Sequence, residues 1–499
     1  MKKLFITILV FFLIADVNLS SENILKNLIK QGIQETYSLN IDKAEEIFNK
    51  AINQYPSNPQ GYLYLSQIYL WSYLGSKEEA DLKLFNTYNN LAVERIDSLL
   101  QENSKNVNTI YLNGLAYQLK AMAYTTQGSS LDAFWAAKKS VSNYEKTLEI
   151  DSTFYDSYLG LGLFDYALSF VPSFFKWALT ISGLSYDKDR ALKYLTIAYN
   201  KSSKSKSESA FHLSKIYLEY LADYKKASSY LDFLIEKYPN NSLFLYQNAV
   251  LHINSKQFDK AKKSLEKVIK IDNKYFKQTT AFSYFLLGEI AFRKNDFETA
   301  LRNYEEFIRL TKIIDYTGLA NYRMAVCYAV QNKSEFAAKS LQLAKLGNPD
   351  ISDDSFAKSR AEAYYNRILD DKFLQVQQIE NLAYTKKYNE VISMSSKIDS
   401  LSQDDSSRVI ISLIEANLNL KNWDKFLEYS EKIENLKPKY EKWVDPFHYY
   451  FLAEYYFIKK DFENVKKFLA KARDYDDYIF KNELVAKLNN IERRLKKQK

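Results

Sequence analysis

The chain has 499 residues but little of what builds sheets, disulfides or metal sites: one cysteine, three histidines, eleven glycines and seven prolines. A single thiol, Cys327, excludes an intramolecular disulfide framework. Between Val326 and Tyr328 it reads as a small buried apolar residue. His212, His252 and His448 lie far apart, and none has a second His or Cys at metal-ligand spacing. Sheets and long loops consume Gly and Pro in turns, so their scarcity points to helices joined by short connections. The one Gly-rich stretch, "GLGLFD", lies within a helical pattern with no strand before it, unlike a phosphate-binding loop. No G-x-S-x-G occurs, and carboxylates such as Glu305 and Glu306 are spread as on any helix surface. The expectation is a chain with no catalytic residues, no cofactor and no metal.

A basic face is also missing. The formal net charge is +8, but residues 486–499 carry +5 of it and the first twenty residues +1. The body is close to neutral, with mixed signs, whereas a protein that tracks phosphates needs clustered basic residues. No nucleic-acid partner is expected. A membrane-length apolar run is missing too. "MKKLFITILVFFLIADVNLSSEN" has a charged start, a twelve-residue run from Leu4 to Ala15 that is apolar except for Thr7, and a polar stretch. That is the layout of a secretory signal peptide, too short for an ordinary span of ~20 residues. Residues 1–20 are read as this signal, placing the mature chain in a bacterial periplasm or cell envelope, or outside the cell.

What is present is periodic. In "YFLLGEIAFRKNDFETALRNYEEFI", Tyr284, Leu287, Gly288 and Ala291 share one helical face, "KND" makes a turn, and Phe297, Ala300, Tyr304 and Phe307 form a facing stripe. The small residues let the two helices cross closely. The same order of large and small positions returns as Gly32, Ala44, Phe48 and Ala51; as Leu245, Ala249, Phe258, Ala261 and Leu265; as Met324, Ala325, Tyr328, Ala337 and Leu341; and as Leu452, Ala453, Tyr456, Phe462 and Leu469. Weaker copies begin at "GYLYLSQIYLW" and "IYLNGLAYQL". The pattern resembles the tetratricopeptide repeat, a helix–turn–helix unit of about 34 residues. The expected fold is an all-α, right-handed α-solenoid of about nine to eleven such repeats. "LGNPDISDDS", from Leu346 to Ser355, divides it into arrays at 21–349 and 350–499, and the segment from Leu484 to Leu495 is expected as a C-terminal cap helix.

One segment departs from the repeat. "ALSFVPSFFKWALTISGLS", Ala167 to Ser185, has a single charge and separates two good repeat helices that a short turn would normally join. Pro172 suits the start of a short apolar helix and Gly183 its end. Residues 160–195, with Gly160, Gly162, Ser169, Pro172, Gly183, Asp189 and Arg190, resemble the signature segment of the eukaryotic inclusion-body-clearance family of tetratricopeptide-repeat proteins. That resemblance implies an inserted helix as a recurrent device of such arrays, and it names no catalytic residues. Phe174, Phe175, Trp177 and Leu179 of the insert (170–184) can plug the solenoid, meet a partner or dip into lipid.

The expected function is a non-catalytic exported scaffold that binds a protein or peptide segment in its concave groove, with a membrane- or lipid-associated envelope factor using the insert as the alternative. In this repeat family the first helix of each unit lines the groove. Tyr246, Phe285, Tyr322 and Tyr450 hold one register on those helices and form either an aromatic ladder in the groove or packing between adjacent repeats. No well-matched repeat shows Lys at the Tyr246-type position with Asn four residues on, the spacing of a carboxylate clamp.

Overall fold

The computed structural model describes residues 23–498 apart from 169–186, 368–369, 397–399 and 477. The proposed signal and the apolar insert, with Phe174, Phe175, Trp177 and Leu179, lie outside the described residues. Those described are helical, with no strand among them. Helices α1 (23–37), α2 (Ile41–Gln54), α3 (Pro59–Ser76), α4 (Glu79–Glu102), α5 (Val107–Thr126), α6 (Ser130–Ile150), α7 (Ser157–Leu168) and α8 (Lys188–Lys201) come first. Next are α9 (Lys206–Lys215), α10 (Tyr224–Lys237), α11 (Ser242–Asn254), α12 (Phe258–Ile271), α13 (Lys277–Arg293), α14 (Phe297–Leu310), α15 (Thr317–Val330) and α16 (Ser334–Ala344). The last are α17 (Ser352–Ala363), α18 (Asp371–Tyr384), α19 (Tyr388–Ser395), α20 (Gln403–Leu420), α21 (Trp423–Glu434), α22 (Val444–Ile458), α23 (Phe462–Arg473) and α24 (Lys481–Lys496).

Odd and even helices from α1 to α16 pair as repeats, and the stripes read from the sequence are their contact faces. Ala44, Phe48 and Ala51 of α2, Ala261, Leu265 and Val268 of α12, and Ala300, Tyr304 and Phe307 of α14 are all at most 1% exposed. Gly288 faces the Tyr304 ring, where a Cβ would come within 2.7 Å of Cε1, so only glycine admits the ring at that crossing. The turns are made with almost no glycine. Lys256, Asn295, Asn332, Lys386, Lys421 and Lys460 have φ between 58° and 63°, and each stands two places before a second helix begins. One left-handed residue reverses the chain there, at a cost of about 1–2 kcal/mol for a side chain with a Cβ, which packing of the hairpin offsets. Asp296 and Asp461 then cap the following helices by accepting from the N–H of Thr299 and Asn464.

The chain divides into two compact units. The first comprises Met1–Ser214, Ser229–Phe244 and Asn273–Phe276. Its first repeat is tied to residues far along the chain. The Asn241 amide donates to the Tyr37 carbonyl at 2.7 Å, that of Asn273 to the Leu39 carbonyl at 3.1 Å, and Lys274 pairs with Asp42 at 3.0 Å. The chain thus returns to its first repeat across 204 residues.

The second unit comprises Lys215–Ser228, Leu245–Asp272 and Lys277–Lys499, so the stretch 346–355 lies inside it. There α17 interrupts the pairing: it packs on α15 and α16 and has no second helix of its own among the described residues. A buried ionic network holds the interruption. Glu380 of α18 accepts from Arg360 of α17 at 3.1 Å and from Arg408 of α20 at 2.8 and 2.6 Å. Glu441 accepts from Arg360, from the Tyr364 hydroxyl and from the Trp443 indole, and Asp405 pairs with Arg367 and Arg408. Arg360, Arg408, Asp405 and Glu441 are at most 3% exposed.

The C-terminal helix α24 buries Leu484, Leu488 and Ile491 against the last repeats. It also reaches residues 217–223. A π-helical turn over Ile216–Tyr220 ends α9, and Asn489 and Asn490 donate to the freed carbonyls of Tyr220 and Ala222 at 3.2 Å each. Arg493 and Arg494 pair with Asp223 and Glu454. The basic tail is thus partly spent on internal pairs.

His448 on α22 is 2% exposed, and its Nε2 has no partner among the described residues. Burial, with Lys471 adding to it, holds its imidazole down to about 4. The unfolded chain takes up this proton near pH 6.5 and the folded chain does not until near pH 4. Stability should fall by about 3 kcal/mol between pH 7 and pH 4 through this residue. Denaturant midpoints measured across that range for the natural chain and for His448→Gln should diverge as pH drops, the variant losing less; parallel curves would show that His448 does not titrate on unfolding.

Candidate binding recess

The first unit has a small, open-mouthed recess lined from the first helices of successive repeats. On α3, Tyr64, Gln67 and Trp71 stand at i, i+3 and i+7, so one helical face presents all three. On α5, Tyr111, Leu115 and Gln118 do the same at i, i+4 and i+7. Tyr37 closes one side from α1, Leu159 and Gly160 from α7. Tyr144 comes from α6, a second helix, and reaches the recess only because two glycines make room. A Cβ on Gly160 would lie 1.9 Å from its Cε2, and one on Gly114 would lie 2.8 Å from its Cδ1. The Tyr144 hydroxyl donates to Gln118 Oε1 at 2.8 Å and fixes the ring.

Two carboxylates, Glu208 and Asp156, are also in the lining. Glu208 of α9 accepts from the Tyr37 hydroxyl through Oε2 at 3.0 Å. Asp156 accepts through Oδ1 from the hydroxyl of Ser202 and from the N–H and hydroxyl of Ser205, the latter two at 3.1 and 2.7 Å. Burial raises the Glu208 carboxyl above its ordinary range, and the hydrogen bond from Tyr37 opposes this only in part. The hydroxyls of Tyr64 and Tyr111 are also pushed up, first by burial and then by the charges of Asp156 and Glu208. The recess is therefore aromatic-walled and electronegative. Lys204, exposed, stands in its lining.

The four ladder positions are placed differently from one another. Phe285 is 4% exposed and packs between Phe307, at 5.2 Å, and Tyr316, at 5.3 Å. Tyr322 is fully buried, edge-on to Phe356. Tyr246 is half-buried beside Ala249 and Ile290. Tyr450 is half-buried beneath α24, with Lys487 Nζ 5.7 Å from its ring centre. All four belong to the second unit, where α24 packs on α22 and α23. There Lys256 stands over the Tyr384 ring at 3.0 Å, and burial pulls its ammonium down to about 7; burial raises Glu415, and Lys487 pairs with Glu483 at 2.8 Å.

The residues of the recess were within reach of one signal in the sequence. The register that selects Phe285, three places before Gly288, selects Tyr111 three places before Gly114. Glu208 and Asp156 had no such signal, since Glu208 meets Tyr37 across 171 residues of chain. Cys327 is fully buried and its thiol is pushed far up, by burial above all. Among the described residues no group of His, Cys, Asp and Glu could hold a metal ion, and no helix is long and apolar enough to cross a membrane.

Comparisons with known proteins follow the repeat. No curated protein matches the chain. Among solved structures, the C-terminal part of a TPR repeat-containing protein from Cytophaga hutchinsonii is 15% identical, covering 58% of this chain and 94% of that one, with a TM-score of 0.29. The APC/C hetero-tetramer Cut9–Hcn1 is 14% identical over 94% of this chain and 96% of that one, at a TM-score of 0.27. The human IFIT1 dimer with PPP-AAAA is 14% identical over 82% and 94%, at 0.37. The model of one family, Iml2/Tetratricopeptide repeat protein 39, matches residues 79–367. That match spans more than half of the sequence, from α4 to the end of the interrupted pairing, and includes Tyr111, Tyr144, Asp156, Gly160 and Glu208 of the recess. The all-α solenoid of paired helices and the family match agree, and the chain belongs to the Iml2/Tetratricopeptide repeat protein 39 family.

Proposed function

We propose that the chain is a non-catalytic scaffold, exported to the cell envelope, that binds a protein segment against the concave recess of its first unit. A tetratricopeptide fold is in general a protein-interaction scaffold. The observation that carries the finer reading is the alignment of Tyr64, Trp71 and Tyr111 on consecutive first helices, which offers rigid aromatic anchors in a concave setting. In the second unit, by contrast, α24 packs on the first helix α22 beside Tyr450. Export rests on the charged start and twelve-residue apolar run of residues 1–20.

The test is capture from the envelope fraction of the native host by the natural chain and by Tyr64→Ala/Trp71→Ala. The natural chain should retain one discrete protein that the double variant loses while keeping its helical signal. Equal retention by both would move the binding surface elsewhere. Recovery of the chain in the cytoplasmic fraction with residues 1–20 intact would end the export reading.

A further inference from the structure

We propose that the recess of the first unit is a receptor for one cationic side chain, a lysine or arginine of the bound segment. This rests on the reading of the recess as the binding surface and adds the chemistry of what enters it. Three observations combine. The walls are aromatic: Tyr64, Trp71 and Tyr111 line the recess from neighbouring helices, and aromatic rings attract a cation through their quadrupoles. The same lining carries two carboxylates, Glu208 and Asp156.

The third observation is that these carboxylates lack a counter-ion. Glu208 takes one hydrogen bond, through Oε2, and Oε1 takes none among the described residues. The donors on Asp156 all converge on Oδ1, leaving Oδ2 without one among the described residues. Neither carboxylate forms an ion pair among the described residues. Glu380, Glu441 and Asp165, by contrast, are each paired with an arginine, Asp165 with Arg190 at 2.6 Å. A carboxylate shielded from water without a partner favours its neutral form, and Glu208 is shifted that way. A cation arriving on an aliphatic stem supplies the missing charge, and its methylenes lie along the rings. A carboxylate or phosphate would meet two like charges. Lys204, exposed in the lining, forms no ion pair with either carboxylate among the described residues.

The probes are three peptides, acetyl-Gly-Gly-Lys-Gly-Gly-amide and its counterparts with Arg or Glu at the centre. They are titrated into the full chain, reading the fluorescence change that Trp71→Phe abolishes. The Lys or Arg peptide should bind weakly, the Glu peptide not at all, and binding should weaken as salt rises. Glu208→Gln, which keeps an acceptor for Tyr37, should weaken binding by about tenfold or more with an unchanged melting temperature. Equal binding of the Lys and Glu peptides, or a Glu208→Gln chain that binds like the natural one, overturns the proposal. If Glu208→Gln is silent while Tyr64→Ala/Trp71→Ala still abolishes capture of the envelope protein, the cation receptor falls and the binding surface stands. If both variants are silent, both readings fall.

Discussion

Replacing Glu380 by Gln should lower the stability of the second unit by about 3–5 kcal/mol, the cost of removing one partner from a buried charge network. Glu380 sits between Arg360 and Arg408, which are 3% and 0% exposed. Without its charge, three arginines share Asp405 and Glu441, and the Arg408 guanidinium keeps only a 3.4 Å contact with Asp405 as its ion pair. Burial alone would raise the Glu380 carboxyl, but the two arginines outweigh it and hold the pKa far below the usual range. Its stabilisation is therefore complete above about pH 4.5 and is lost as pH falls through the folded value. Hydrogen exchange of amides in α17, α18 and α20 gives the readout, because a chain of two units need not unfold in one step. The double variant Glu380→Gln/Arg408→Gln should cost less than the two single changes added together. Additive costs, or a Glu380→Gln chain protected as well as the natural one, would mean that the network does not hold the interruption.

The second large effect is expected at Gly160. An alanine there puts a methyl carbon 1.9 Å from Tyr144 Cε2 and 2.5 Å from Cδ2. Its other edge has little room, since a Cβ on Gly114 would lie 2.8 Å from Cδ1, and Gln118 holds its hydroxyl. Overpacking of this kind costs about 1–3 kcal/mol or more. The displaced ring also has only the recess to enter, so Gly160→Ala should reduce partner binding as well as stability. Trimming the ring in Gly160→Ala/Tyr144→Leu should recover part of the stability. A single variant that melts and binds like the natural chain would show that Tyr144 does not form the wall described here.

Which parts of this were legible in the sequence follows from how each helix is buried. Second helices such as α14 bury one stripe, Ala300, Tyr304 and Phe307, and show it as clean periodicity. First helices are buried on both sides. In α3, Leu63 and Leu65 face the core while Tyr64, 6% exposed, lines the recess, so apolar residues run almost continuously and periodicity cannot separate groove from core. That is why one register on the first helices picks out Phe285 and Tyr322 between repeats and Tyr111 in the recess. The carboxylates were illegible for a different reason. Glu208 belongs to the site because the stack bends round to Tyr37, and curvature accumulates from small rotations that no local pattern records. The surplus of positive charge at the C-terminus was visible as a total, but Asp223 and Glu454, which pair with Arg493 and Arg494, lie 270 and 40 residues away.

The most direct test of the recess as the binding surface is photo-crosslinking in the native host from a probe at Gln67, compared with a probe at Leu131, which is 69% exposed on α6. The expected result is one discrete protein captured from position 67, absent from position 131 and lost when Gly160→Ala is added. Capture of the same species from both positions, or only internal crosslinks from position 67, would contradict it.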